Sequence, residues 1–563
     1  LPHGPTVPDT IHGVITARID RLPEETKRVL QAASVLGREV SLRLLNATWE
    51  GSGIPSALTV ENHLSELKRM EFLYEQSWAA EPGYVFKHAL TQEVAYESLL
   101  TARRQVLHAA AGQALERLYE ERLEQVYDRL AYHYSKTNES TKAVEYLTRF
   151  ARQAARKFAH AEAVTALQGA LAHVERLPAE QRDAHLLDIV PRLARSLSSL
   201  GRLAEAIDLL LQQKERVERL QNPFVTSRYY LLLANTYTFL DDQEPTVQSA
   251  HRAMEEARQC GDQVTMGKAS YVLAFASVWS GQFRQGLDYG REAVSFLERT
   301  EEQSWLGAAH WVLGWNHFLL GEFDLVLEVL ARARAIAEAN GDPRVESPVT
   351  RLIGLIHVLS GEWEAGIEAC QRALQCAPDP FNTAESLGCL GLAYLEKGDA
   401  AQAVLLLEQS VRQVSHFKRY AVQGWFMATL GEAYLLTGQT ERARDLVSQG
   451  LELAEATKYW AAVGWAQRSL GRIAQARGFS SEAESHLKEA LQTFTSIHAR
   501  YLVARTHLDF AALAHAQGNR EAVRTHLKEA HELFTALRVP YYVERTEQLA
   551  REFLGDAHLP RVV

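Results

Sequence analysis

The stretches LGLAYLEKGDAAQAV (390–404) and LGEAYLLTGQTERARDLV (430–447) decide how the chain is read. In each, a Leu-Gly pair precedes a second glycine (Gly398, Gly438) by seven or eight residues, and Ala403 or Ala443 follows five residues later. Outward from there the marker recurs as Gly201, Asp241, Gly281, Gly321, Gly361, Gly398, Gly438, Gly478 and Gly518, in steps of 40 with one step of 37. Upstream pairs repeat as Leu313-Gly314, Ile353-Gly354 and Leu470-Gly471, and a downstream alanine recurs as Ala253, Ala293, Ala333, Ala373, Ala490 and Ala530. Small residues let two antiparallel helices approach closely, and glycine takes the positive φ of the turn joining them. Apolar residues at i, i+3, i+4 and i+7 between the markers fit amphipathic helices. A period of this length predicts a repeat array rather than separate globular cores.

Composition agrees. The 563 residues are 47% hydrophobic and 23% charged, too long for one compact core and too apolar for a disordered chain. A formal charge of −10 argues against nonspecific attraction to nucleic acid or anionic membranes. No apolar run approaches the ~18 residues needed to span a bilayer, and LPHGPTVPDT (1–10) lacks the basic and apolar regions of a secretory signal. The missing initiator Met leads us to expect a piece of a longer protein. Four cysteines without metal spacing (Cys260, Cys370, Cys376, Cys389) predict core thiols in a reducing, cytoplasmic setting.

The first hundred residues are organised differently. RLPEETKRVLQAASVLG (21–37) has an acidic first turn and Gly37 at its end, marks of a helix. A short helix near 40–48, the loop GSGIPS (51–56) and the helix ALTVENHLSELKRM (57–70) follow. EFLYEQ (71–76) and GYVFKH (83–88) read as two strands around SWAAEP. Three helices closed by a two-stranded ribbon predict a winged helix.

The 40-residue unit resembles the tetratricopeptide repeat (TPR), whose usual period is ~34. The longer period resembles the long-helix TPRs of bacterial signalling ATPases. PDTIHGVITARIDRLPEETKRVLQAASVLGREV (8–40) and YVFKHALTQEVAYESLL (84–100) resemble the region after the nucleotide-binding core of bacterial STAND-class ATPases, many of which join a cyclase domain, an ATPase domain, a winged helix and a TPR tail. The implied fold is all-α apart from the wing: a right-handed TPR α-solenoid behind a small winged-helix domain. The expected divisions are a linker at 1–10, the winged helix at 11–105, a connector with irregular TPR-like units at 106–180, nine units at 181–540, and a capping helix and tail at 541–563.

The departures from that family bear on activity. No G-x-x-x-x-G-K-[ST] occurs, so the phosphate-cradling loop is missing. No catalytic constellation and no metal-ligand spacing stands out, so the expectation is a non-enzymatic chain. ATP or ADP and Mg²⁺ would belong to an upstream ATPase domain. By the same resemblance, His88 with Lys87 is the place where a winged helix touches the nucleotide phosphates. The implied function is a sensor arm that takes a protein or peptide in the TPR groove and controls the upstream switch.

TPR spacing, carried across residue by residue, puts Tyr271, Phe275, Trp279, Trp311, Trp315, Trp425 and Trp465 on the concave face, with Arg351, Arg468 and Arg472. Aromatic and Arg side chains are the usual anchors of partner binding. The bland alternative is that several tryptophans fill the core between repeats. Two other functions are weighed: a stand-alone TPR scaffold, and a transcriptional activator with its winged helix on DNA. In and just after the helix 57–70, Glu61, Glu66 and Glu71 balance Lys68 and Arg69, against DNA. Arg103, Arg104 and His108 read as a solvated helix face.

Overall fold

The computed structural model describes residues 9–53, 59–78 and 81–555. Most of the expected linker at 1–10, half of the 51–56 loop and the tail beyond 555 fall outside them. The chain divides into two compact units, Leu1–Leu210 and Leu211–Val563.

The first unit opens with α1 (Asp9–Asp20) and α2 (Glu24–Leu36), then β1 (Glu39–Ser41), α3 (Leu42–Gly51), α4 (Val60–Arg69), β2 (Leu73–Trp78) and β3 (Glu81–Phe86). The strands form one antiparallel sheet in the order β1-β3-β2, with Val40 opposite Tyr84 and Tyr74 opposite Val85. The two-stranded ribbon read from the sequence is thus a three-stranded sheet. Its third strand is three residues long, too short to show an alternating pattern, and lies where a helix start was read. Val29, Leu30, Leu45, Leu64, Phe72 and Phe86 form the shared core.

α5 (Ala89–Glu97) and α6 (Thr101–Leu118) follow, and α6 packs on α2 and α3. The 106–180 segment lies within the first compact unit, which ends at Leu210. Beyond a short 3-10 stretch come α7 (Tyr127–Ser135), the pair α8 (Ser140–Arg156) and α9 (His160–Val174), and α10 (Ala179–Ser199) with α11 (Leu203–Leu211). His108 corrects the reading of a solvated basic face. It is buried, accepts from or donates to Tyr96 Oη at 3.1 Å, and shares a 2.9 Å hydrogen bond with His133 between their Nδ1 atoms. Burial pushes its imidazole down to about 4 and that of His133 to about 3.

The second unit is a stack of antiparallel helix pairs after the short α12 (Lys214–Arg219). The pairs are α13/α14 (Pro223–Thr238, Gln243–Cys260), α15/α16 (Gln263–Ser280, Phe283–Leu297), α17/α18 (Gln303–Leu320, Phe323–Asn340) and α19/α20 (Pro343–Leu359, Trp363–Gln375). Then come α21/α22 (Pro380–Lys397, Ala400–His416), α23/α24 (Tyr420–Leu436, Thr440–Ala456), α25/α26 (Trp460–Ala476, Ser480–Ser496), α27/α28 (Arg500–Ala516, Arg520–Ala536) and the closing α29 (Pro540–Leu554). It is an all-α, TPR-type solenoid.

Local chemistry explains each pair. Asp262, Asp342, Asp379, Asp399 and Asn519 cap helix starts by accepting backbone N–H groups. At Gly438 the helix ends in a Schellman turn: the Gly438 amide donates to Leu435 O and the Gln439 amide to Tyr434 O, with φ of 79°. The glycine seven residues upstream has a different duty. A Cβ on Gly431 would collide with Val447, and one on Gly354 would lie 2.7 Å from Cys370 Sγ, so these glycines set the approach of each first helix to its second.

Turns between units use the same motif without glycine. Lys418, Lys458, His498 and Arg538, again 40 apart, hold φ of 54–58°. Each is a cation or imidazole just past a helix C-terminus, where its side chain complements the macrodipole. Of the four free cysteines, Cys370 and Cys389 are buried as expected, whereas Cys260 is exposed at the end of α14.

Candidate functional site

First helices of successive units pack on one another, α15 on α17, α17 on α19 and α23 on α25, and so line the inside of the stack. Further along, the stack returns to touch itself. The Ala421 amide donates to Asp241 Oδ2 at 3.1 Å, 180 residues earlier. Helix α15 packs on α25 and α17 on α27. Trp279 meets Tyr459 edge-on at 4.5 Å, and Tyr501 Oη donates to the carbonyl of Leu359 at 2.9 Å. One apolar cluster runs from Ala274 to Tyr542 through these contacts.

The inner face therefore differs from an open groove. Its aromatic residues form a connected series. Tyr271 stacks on Phe275 (6.2 Å), Phe275 meets Trp279 (5.3 Å) and Trp311 (5.8 Å), and Trp311 meets Trp315 (6.1 Å). Trp315 continues to Phe318 and Phe323, which reaches Tyr501 across the seam at 5.3 Å. Trp425 and Trp465 pair edge-on at 6.3 Å. Between Trp315, Trp425, Trp465, Leu355 and Tyr501 remains a small, mostly apolar cavity of about 30 Å³.

All the aromatic residues expected on the concave face thus lie on first helices, but packed around a closed interior. Trp279 and Trp465 are only 5% and 6% exposed, while Tyr271, Phe275, Trp311, Trp315 and Trp425 are half-buried. A superhelix with separated turns would expose them. Here apolar area is removed from water by winding turn against turn, at ~25 cal/mol per Å².

Charged residues on this face are paired within it. Arg351, 5% exposed, donates through Nη2 to Glu385 at 2.6 Å. Arg468 bonds Asp509, and Arg472 bonds Glu432. Burial by itself would raise the Glu432 carboxyl, but Arg472, Arg468 and the Ser469 hydroxyl outweigh it and hold it below its ordinary value. Arg505, which sequence reasoning missed, donates to both oxygens of Glu396 at 3.1 and 3.2 Å, and Tyr542 Oη donates to the same carboxylate at 3.0 Å. Nothing in the local pattern marks Arg505, because its partner lies 109 residues away.

Several donors are left over. The indole N–H groups of Trp279, Trp311 and Trp465 and Nη1 of Arg351 are buried and meet no acceptor among the described residues. An unmet buried donor costs about 1–3 kcal/mol. First helices also carry buried side-chain oxygens that meet no donor among the described residues, those of Asn316 and Gln423, so unmet groups of both kinds lie on them.

His88 is exposed and is the capping residue before α5. Lys87 beside it is bound to Glu71 at 2.7 Å and lies over the Tyr74 ring. Among the described residues no group of three or more His, Cys, Asp or Glu could hold a metal, and no helix is long and apolar enough to cross a membrane.

No protein family and no curated protein matches the chain by sequence. Solved structures with similar helices include a Rap protein bound to competence and sporulation factor, at 13% identity and a TM-score of 0.42, over 52% of this chain and 83% of that one. A STAND protein with a tetratricopeptide repeat sensor from Pyrococcus horikoshii matches at 16% identity and a TM-score of 0.38, over 88% of this chain and 66% of that one. The Rap conjugation gene regulator of plasmid pLS20, bound to the Phr* peptide, matches at 13% identity and a TM-score of 0.45, over 63% of this chain and 95% of that one. The fold assignment rests on the helix pairs and turns themselves.

Proposed function

We propose that this chain is a non-catalytic interaction and sensing region of a signal-transduction ATPase, and that the inner face of its second unit takes a protein or peptide. The observation carrying this reading is the inner lining itself: connected aromatic rings with indole and guanidinium N–H groups that meet no acceptor. Large aromatic and Arg side chains supply most of the energy of typical interfaces. A peptide backbone offers the carbonyl oxygens those donors lack. The order of segments, a sheet-bearing helical domain before the repeats, supports an upstream nucleotide switch as the output. In that arrangement ATP, ADP and Mg²⁺ belong to the switch. His88 is exposed where a nucleotide phosphate would meet it, and Lys87 would exchange its surface contact with Glu71 for the phosphate.

The DNA reading is weaker on a specific ground. On α4, Lys68 is paired with Glu75, and Arg69 lies 3.9 Å from Glu66, so its cations face carboxylates of the same domain. Glu61 also lies on this helix, held by the Asn46 amide.

Trp311 offers the test, being half-buried and lacking an acceptor. Affinity capture with the intact chain should retain a protein or peptide partner from the source cell. Trp311→Ala should weaken that partner at least tenfold, the effect of losing an interface anchor. Equal retention by the variant would contradict the inner face as the binding site. In the longer protein, His88→Ala should alter ADP affinity; unchanged affinity would remove His88 from the switch.

A further inference from the structure

We infer that the turn-on-turn seam of the second unit is a self-closing contact that must open before the inner face can bind, with Asp241 and Arg419 as its lock. The inference rests on the reading above and adds its regulation.

Three observations lead to it. Trp279 and Trp465 are 5% and 6% exposed with buried indole N–H groups, and Trp279 packs on Tyr459 across the seam, so a peptide reaches them only when the turns part. The seam has a shaped edge: Gly281 and Gly361 receive Ile497 and Tyr541 from the next turn at distances that leave no space for a Cβ, and Gly321 receives Leu537 where a Cβ would fit only tightly, at 3.2 Å. The fourth member of that edge is the exception in the glycine ladder. Asp241 holds φ of 56°, in the left-handed region that favours glycine.

The Asp241 and Arg419 side chains are 1% and 6% exposed and lie 3.2 Å apart, an ion pair whose N–H is not aligned on the oxygen. The second carboxylate oxygen takes the Ala421 amide. Ala421 is the second residue of α23, where a helix leaves its amides without intrahelical acceptors. The Arg419 guanidinium lies over Phe239 and Phe381, at 5.6 and 5.4 Å. A buried ion pair contributes little net stability but is costly to break by halves, so it favours one discrete arrangement. The Asp241 carboxylate is thus what joins the two turns at that end.

A ligand of the inner lining competes with the seam, because Trp279 and Tyr501 serve the closed packing and would flank the opened face. Its apparent affinity is reduced by the fraction of closed molecules.

Asp241→Gly tests this, since glycine is the residue of the other ladder turns and suits the positive φ, while Arg419 is left buried without its carboxylate unless the seam opens. Arg419→Gln serves as the second variant. The full chain is followed by acrylamide quenching of tryptophan and by small-angle scattering, with far-UV circular dichroism as the control for folding. We expect quenching to rise at least twofold and the scattering radius to grow in both variants, with helicity unchanged. Unchanged quenching and radius in folded variants would overturn the lock, as would wild-type tryptophans that are quenched as readily as those of the variants. No partner is present in these measurements, so failure here leaves the inner-face reading to the Trp311 test.

Discussion

Two sets of glycines in the second unit occupy the same place in the repeat and do different work. Gly281, Gly321 and Gly361 end first helices with positive φ and receive side chains from the next turn of the stack. Gly398, Gly438, Gly478 and Gly518 end first helices with the same backbone, and a Cβ added to any of them would meet nothing within 4 Å. The period dictates the turn. Only the winding dictates which turns are covered, and it makes the proximal half a partner for the distal half.

Substitution can break the comparison. Gly361→Ala should cost about 3 kcal/mol, combining left-handed strain with overpacking against Tyr541. Gly438→Ala should cost about 1 kcal/mol from strain alone. Chemical denaturation read on the second unit compares them, and equal costs would remove the seam.

Acid should act on the distal half by another route. His507 and His526 share a 2.9 Å hydrogen bond between Nδ1 atoms, and burial lowers His507 to about 4. With the folded value below the ordinary one near 6.5, the unfolded chain takes the proton first. Stability is therefore full above about pH 6.5 and falls as the pH drops towards 4, by on the order of 1–2 kcal/mol at pH 5. His507→Gln copies the Gln467–His486 pair of the preceding unit and should flatten this dependence in thermal melts. An unchanged pH slope would mean that the pair is not what titrates.

The smallest effect is expected at the rim. Arg538 and Asp324 meet across the seam at 3.4 Å but are 81% and 72% exposed. Arg538→Ala should change stability by about 0.5 kcal/mol or less. A loss comparable to that of Gly361→Ala would mean that rim charge, rather than the buried contacts, closes the stack.

The sequence carried the helix pairs because each is a local event: Gly431 against Val447 or Gly438 in its turn lies within twenty residues of its partner. The first helices could also be recognised, and with them the faces carrying Trp311 and Trp465. The closure was not visible. Asp241 meets Ala421, Glu396 meets Arg505 and Trp279 meets Tyr459 at separations that no periodic pattern announces. Seen locally, Asp241 is merely a glycine position filled by another turn-forming residue. The basic series Lys418, Lys458, His498 and Arg538 was the one further signal available, a second set of turns spaced like the first. In the first unit the same limit hid the His108–His133 pair, which joins two helices 25 residues apart.

The most direct test is residue-resolved hydrogen exchange at the Ala421 amide. It stands at a helix start, and its acceptor is the Asp241 carboxylate of the preceding turn. Contact between the turns predicts slow exchange in the intact chain, lost in Asp241→Gly. Exchange in the wild type as fast as at a solvent-exposed helix start would contradict it.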